Sequence, residues 1–383
     1  MAQLDLAALP ARAIHERTAL RRIDPVLGAA AIALALTGLA MIYSATNKTL
    51  TTLNENPGFY LKKQAVYLVV GLVAMAAAAI VDYRVAKVYA PFIYVGCVGL
   101  LLLVQTPLGR VAKGAQRAFQ VAGFQLSPSL FTRLGLIAML AAYLSEIKGE
   151  LDLRHVIRAT TIAAVPMLLV FIQPDIGTTI ILASILVALL VASGAGAKYL
   201  AVLALVGSLA IFGAFQLHII KDYQVQRITS FLDPQSDALR AGYNKQQAEI
   251  AIGSGGLIGK GYLHGTQTNL DYVPEQHTDF IFTVVGEELG FLRGTVPLLL
   301  LFGILLWRAF RIALLSKDPF GTFVAAGVFA MIAIQVFVNV GMTIGIMPIT
   351  GIPLPFISYG GSALISDLIG IGLLQGIHLR RSL

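Results

Sequence analysis

Ten apolar runs, each about as long as a lipid bilayer is thick, constrain this chain more than any other feature. They lie at about 26–45, 65–81, 88–104, 130–145, 156–172, 176–193, 199–218, 292–307, 321–346 and 363–379. A helix rises about 1.5 Å per residue, so roughly 20 apolar residues cross the hydrocarbon layer. Composition agrees: 57% of the residues are hydrophobic and 13% are charged, against about 25% charged in a soluble globular protein. A water-soluble enzyme of this length would lack polar surface. Neither a collagen triplet nor a heptad repeat is present. In lipid, backbone polar groups must be satisfied within the protein. The expected fold is an all-α polytopic membrane protein with about ten transmembrane helices.

The loops set the orientation. Residues 1–25 are polar and basic and read as a cytoplasmic N-terminal segment. The run Val26–Ala45 exceeds the 7–15 apolar residues of a signal-peptide core, so it reads as an uncleaved first span. Residues 26–383 read as a single membrane domain. With both termini on one side, fifteen of the 28 Lys and Arg residues fall on cytoplasmic segments, as the positive-inside rule requires. The net charge of +8 is then a matter of topology and anionic lipid, not of nucleic acid. The single cysteine, Cys97, can form neither an intrachain disulfide nor a cysteine metal site.

Two outer loops break the charge rule. Residues 105–129 carry Arg110, Lys113 and Arg117. Residues 219–278 form a large extracytoplasmic loop between spans 7 and 8, with Lys221, Arg227, Arg240, Lys245 and Lys260. Loops of that length in a compact protein are commonly functional. The run from Asp279 to Arg311 is too long for one crossing, and Gly290 and Gly294 divide it into a short helix at about 279–290 and the true span. The run at 130–145 is interrupted by Arg133, Tyr143 and Ser145 and is expected to face a cavity rather than lipid.

Several motifs admit competing readings. Gly253-Ser-Gly-Gly-Leu-Ile-Gly-Lys-Gly261 has the composition of a phosphate loop. However, Ser254 stands where a Walker glycine is needed and Gly261 where Ser or Thr is needed. It reads instead as backbone that approaches a ligand or the membrane closely. The densest chemistry lies in Asp271–Phe280. Asp279 is the last polar residue before Phe280-Ile-Phe, at the membrane boundary, where an ionisable group is a functional candidate. The same position suits a helix N-cap, and position alone leaves both readings open. His277 reads as a loop hydrogen-bonder. Glu287 and Glu288 follow about two turns on, with Arg293 placed to neutralise one. Asp175, in Gln173-Pro-Asp-Ile-Gly177, reads as a turn residue and helix cap. Pro348, Pro353 and Pro355 with Gly345, Gly351, Gly360 and Gly361 make a non-helical stretch at membrane depth, tolerated only where it is buried or lines a cavity. The pairs Gly341/Gly345 and Gly372/Gly376 are helix-packing signals.

Taken together, these motifs carry a resemblance. Tyr272-Val-Pro-Glu-Gln-His-Thr-Asp-Phe-Ile-Phe-Thr-Val-Val-Gly-Glu-Glu-Leu-Gly290 resembles the signature of the SEDS proteins (shape, elongation, division and sporulation). Pro348-Ile-Thr-Gly-Ile-Pro-Leu-Pro-Phe-Ile-Ser-Tyr-Gly-Gly-Ser362 is similar to their second signature. Gln173–Thr178, Phe231–Pro234 and Gln246–Gly261 fit as well. Gly265-Thr-Gln267 and Ile346–Gly351 resemble the rod-elongation branch. The resemblance implies a ten-span peptidoglycan glycosyltransferase that joins lipid II units at the outer face of the bacterial cytoplasmic membrane. It also implies work beside a class B penicillin-binding protein and other elongation-complex proteins. The family's essential aspartate falls on Asp279.

An inverting transfer needs one base for the attacking hydroxyl. The pyrophosphate leaving group needs charge stabilisation, from cations or a divalent metal such as Mg or Mn. Arg110, Lys113, Arg117, Arg227 and Lys260 are the candidate cations. Glu275 and His277, inside the first signature, are further substrate-binding candidates. The chain departs from the family at Ala118 (usually Trp), Leu130 (usually Glu), Arg133 (usually Lys) and Arg293 (usually uncharged). Ten spans and intramembrane polar residues also fit a lipid II flippase, and the departures at Ala118 and Leu130 keep open a non-enzymatic activator of a penicillin-binding protein.

Overall fold

A computed structural model describes residues 23–112, 115–121, 124–217, 231 and 241–381. The elements up to the long loop are α1 (Pro25–Thr52), α2 (Phe59–Ile80), α3 (Tyr83–Val104), β1 (Arg110–Ala112), β2 (Ala115–Val121), β3 (Phe124–Leu126), α4 (Pro128–Ser145), α5 (Leu153–Ile172), α6 (Ile176–Ala192) and α7 (Ala197–Gln216). Beyond it come α8 (Ala241–Gly255), α9 (Thr266–Asn269), α10 (Ile281–Gly290), a π-helical turn (Phe291–Thr295), α11 (Val296–Leu315), α12 (Pro319–Thr343) and α13 (Gly361–Arg380). Among the described residues nine helical stretches are long and apolar enough to cross a membrane, with Ile281–Leu315 taken as one, and α6 is a shorter tenth. This is the polytopic helical fold that the apolar runs dictate. The loop before α4 adds a small antiparallel sheet in the order β1-β2-β3.

Aspartates start several of the helices. Asp24 accepts from the amides of Val26 and Leu27 (3.1 Å each). Asp82 accepts from Arg84 (3.0 Å) and Asp152 from Arg154 (2.9 Å). Asp175 accepts from both the amide (3.1 Å) and the hydroxyl (2.9 Å) of Thr178, which is the capping role its position predicted. At the other end of α1, the helix runs past Ala45 to Thr52. There the hydroxyls of Thr46, Thr51 and Thr52 bond back to carbonyls four residues earlier, which satisfies polar side chains without breaking the helix.

Helix α4 is mostly buried, as its interrupted apolar pattern predicted. Arg133 in it is fully buried and lies 3.4 Å from the equally buried Asp367 of α13. Its Nη1 donates to Gln335 of α12 (2.6 Å) and its Nε to the Leu130 carbonyl (3.0 Å). Of the two glycine pairs, Gly372/Gly376 brings α13 onto α2: a methyl group at Gly372 would come within 2.8 Å of the Ala78 side chain. Gly341/Gly345 does not pack two spans. Gly345 has φ +79° and lies beyond the end of α12, facing Lys245 and Glu249 of α8.

The division of the 281–315 stretch has a visible cause. Gly290 has φ +75°, a conformation that strains residues bearing a Cβ. The glycine-rich run after α8 covers the break. The amides of Lys260 and Gly261 donate to the carbonyls of Glu287 (3.1 Å) and Glu288 (2.9 Å). Those of Phe291 and Leu292 donate to Gly256 and Leu257 (2.9 Å each). A Cβ at Gly255 or Gly259 would collide with the backbone of residues 286–289. These glycines therefore permit approach to another stretch of protein backbone. The expectation of a ligand or membrane contact is corrected accordingly.

Candidate active site

Asp279 is half-buried in an irregular turn that leads into α10. The helix's N-cap residue is Phe280, with no side-chain cap. The aspartate stands one residue before that N-cap position.

The turn is held from several sides. Three consecutive carbonyls, those of His277, Thr278 and Asp279, each accept a hydrogen bond from a distant segment. The donors are the Tyr359 amide (2.9 Å), the Ser358 hydroxyl (2.6 Å) and the Asn339 side-chain amide (2.8 Å). Asn339, buried on α12, also donates to the Ile352 carbonyl (2.8 Å). Gln276 donates to the carbonyls of Ala45 (3.1 Å) and Thr268 (2.9 Å). Glu275 is exposed, and its backbone at φ +56° folds the turn so that its carbonyl accepts from the Thr278 amide (3.0 Å).

The non-helical stretch 344–360 is thereby fastened to Asp279, and it is buried at Ile352, Leu354, Phe356, Ile357 and Ser358. Gln64 of α2 bonds it at the Ser358 carbonyl (3.3 Å) and the Gly360 amide (3.2 Å). Ser362 ties it to the small sheet, donating to the Gln125 carbonyl (2.9 Å). The sheet reaches further: Arg117 on β2 donates to the carbonyls of Gln173 (2.9 Å) and Pro174. Gly177, just beyond, packs against Thr350 and Ile352. Three of the five motifs, 173–178, 272–290 and 348–362, are thereby joined across nearly 200 residues of sequence.

The family model described as "Cell cycle protein", covering FtsW, RodA and SpoVE, matches residues 26–383. The chain belongs to the SEDS family. It is 38% identical over 363 residues to the peptidoglycan glycosyltransferase MrdB of Escherichia coli strain K12, covering 94% of this chain and 95% of that one. It is 38% identical over 343 residues to the stage V sporulation protein E of Bacillus subtilis strain 168, covering 89% and 92%. A chain solved in a study entitled "Structural coordination of polymerization and crosslinking by a peptidoglycan synthase complex" superposes with a TM-score of 0.78 at 29% identity, covering 94% and 98%. The Thermus thermophilus rod shape determining protein RodA superposes at 0.69 with 27% identity over the same shares.

Within this SEDS fold the candidate cations separate. Arg117 lies beside the converging motifs and uses Nε and Nη2 on backbone carbonyls. Arg110 contributes backbone to β1. Lys113 and Arg227 lie outside the described residues. Lys260 is corrected: its ammonium sits 2.7 Å from Glu287 and 2.6 Å from the Thr266 hydroxyl, so its charge is committed to a structural carboxylate. Glu287 is fully buried and also accepts from the amides of Gln267 (2.8 Å) and Thr268 (2.9 Å). Glu288, equally buried, accepts from the Ser44 hydroxyl (2.7 Å) and the Leu263 amide (3.2 Å). Arg293, expected to neutralise one of them, is exposed on the π turn and makes no ion pair among the described residues.

The His277 ring packs 4.8 Å from Tyr60 and 5.7 Å from Tyr359. Burial and the nearby Glu288 carboxylate push the Tyr262 phenol above its ordinary value. It therefore stays protonated and donates to the Ala40 carbonyl (2.9 Å). Among the described residues no group of three His, Cys, Asp or Glu side chains is placed to hold a metal ion.

Sequence reasoning passed over Asn339, Gln64 and Asp367. Asp367 carried a usable signal, as an acid inside the apolar run 363–379. The two amides carried none, because their partners lie far away in sequence.

Proposed function

We propose that this chain polymerises lipid II into glycan strands for cell elongation and shape, with Asp279 as the general base. Residues 26–383 act as one membrane unit, with both termini cytoplasmic and Asp279 on the outer side of the bacterial inner membrane. The membership and the full-length likeness to peptidoglycan glycosyltransferases support the activity. The observation that carries the base assignment is the turn itself: three successive carbonyls pinned by distant donors hold Asp279 at the mouth of α10.

In the reaction the acceptor sugar hydroxyl attacks the anomeric carbon of the donor. The bond from that carbon to the pyrophosphate oxygen breaks, and the hydroxyl proton passes to the Asp279 carboxylate. Inversion follows because attack and departure occur on opposite faces. The pyrophosphate leaves with its negative charge increased, and arginine and lysine side chains on the same face lower that charge's energy. Arg117 is the described cation nearest the converging motifs, with Arg110, Lys113 and Arg227 as its candidate companions. Glu275 and His277 flank the base in the same turn and line the acceptor's approach. A class B penicillin-binding protein, together with other elongation-complex proteins, crosslinks the emerging strand.

The test is polymerisation of labelled lipid II in detergent by the purified protein with its penicillin-binding partner. Strands made by the wild type and lost in Asp279→Asn support the reading. Equal polymer from both proteins sinks the base assignment. Lipid translocation in vesicles with no polymer from either overturns the enzyme reading.

A further inference from the structure

At the end of the bundle opposite Asp279, the start of α1 meets the ends of α11 and α13. A cavity of ≈ 110 Å³ opens there, lined by Asp24, Arg308, Arg311 and Arg381, with His378 beside them and Ile312 and Leu315 as an apolar wall. Its charges do not balance. Arg308 is paired with Asp24, at 2.5 Å from Nη2 and 2.7 Å from Nε, and the same carboxylate also caps α1. Arg311 and Arg381 are exposed and form no ion pair among the described residues.

One structural use for such arginines is to satisfy the open carbonyls of helix ends. Arg380 shows what that looks like here. It donates to Ala79 (3.1 Å) and Ile80 (2.5 Å) at the end of α2 and to Gly376 (3.1 Å) in its own helix. Arg311 and Arg381 make no such bonds among the described residues. The cavity also lies at the depth of the membrane interface. Trp307, the chain's only tryptophan, is 62% exposed on α11, next to Arg308 and about one turn from Arg311, and packs 6.4 Å from Phe310. Exposed aromatics of this kind mark the headgroup level.

We infer that this cavity holds the phosphate headgroup of an anionic phospholipid. Arg311 and Arg381 supply planar guanidinium donors that match phosphate oxygens. Asp24 keeps Arg308 in place without cancelling the other two. The wall of Ile312 and Leu315 and the exposed face at Trp307 receive the acyl chains. Basic recesses between spans at an interface have the chemistry for such headgroups. The inference is independent of the activity at Asp279.

The full chain, purified in detergent, is titrated with phosphatidylglycerol or phosphatidylcholine, and bound lipid is counted by native mass spectrometry. The wild type is expected to retain phosphatidylglycerol at a concentration roughly tenfold lower than phosphatidylcholine. Arg311→Gln with Arg381→Gln is expected to abolish that preference. Arg154→Gln with Arg158→Gln, which removes two exposed charges from α5 at the same end, is expected to keep it. Melting by circular dichroism verifies that each double variant is folded. The inference is overturned if the first double variant retains the preference, or if the second loses it equally. Displacement of the lipid by inorganic phosphate at matching concentration overturns the lipid as the occupant and leaves a soluble phosphate in its place.

Discussion

Asp175 and Asp279 each sit where an irregular turn enters an apolar helix, α6 in one case and α10 in the other. At Asp175 both carboxylate oxygens are taken by Thr178 within the first helical turn. At Asp279 the N-cap position belongs to Phe280, and the residue is fixed through its main-chain carbonyl by Asn339 instead. One turn spends its acid on starting a helix. The other is fixed from outside, by donors on its backbone carbonyls, and enters its helix at Phe280, whose carbonyl accepts from the Thr283 amide (2.9 Å). An ionisable group at a membrane boundary is expensive, which makes Asp279 the functional candidate of the two.

The comparison can be broken, and the largest effect is the first place to try. Asp279→Asn is expected to lower the polymerisation rate by roughly 10²–10⁴-fold, the range for a lost general base, with the melting temperature unchanged. A melting temperature that falls along with the rate would make Asp279 structural, as Asp175 is. Glu287→Gln removes a buried carboxylate from Lys260 and two amides. Stability should drop by about 3 kcal/mol, the low end for a broken buried pair, because Lys260 is 24% exposed. Chemical denaturation in detergent measures it, and the folded fraction should still polymerise.

Asn339→Ala releases the carbonyls of Asp279 and Ile352. The expected loss is about 1–3 kcal/mol for two neutral hydrogen bonds, with a roughly tenfold fall in kcat from looser positioning and little change in KM. The smallest effect belongs to Asp175→Ala: about 1 kcal/mol for a lost cap, with polymerisation near the wild-type rate. A steep loss of activity at Asp175 with full stability would end the distinction between the two turns.

Much of this was legible in the sequence, because the bilayer sets a length that apolar runs must meet. All ten runs became helices, and Gly290 marked the division of the eighth. Asp175 was readable as a cap because capping is local. What sequence could not supply depends on contacts across the fold. Lys260 looked like a loop cation until Glu287, 27 residues later, proved to be its partner. The glycines of 253–261 looked ready for a ligand because sequence records that backbone must come close, and not what it approaches. Arg133, read as a departure from the family, needed Asp367 from the last span to explain how a guanidinium can be buried. The hold on the Asp279 turn from Asn339, Ser358 and Tyr359 also comes from distant sequence, and no local pattern announces it.

The division at Gly290 has a consequence for the membrane around the protein. From Val296 to Trp307, the level of the headgroups, α11 rises only about 17 Å at roughly 1.5 Å per residue, so the π turn and part of α10 complete the crossing. Helix α10, which follows Asp279, is also tied to α8 and the glycine run. Thicker or thinner bilayers are met by tilting or kinking the spanning helix, and the π turn lies between α11 and the turn at Asp279. The π turn is thus the joint at which a tilt of α11 is taken up before it reaches α10.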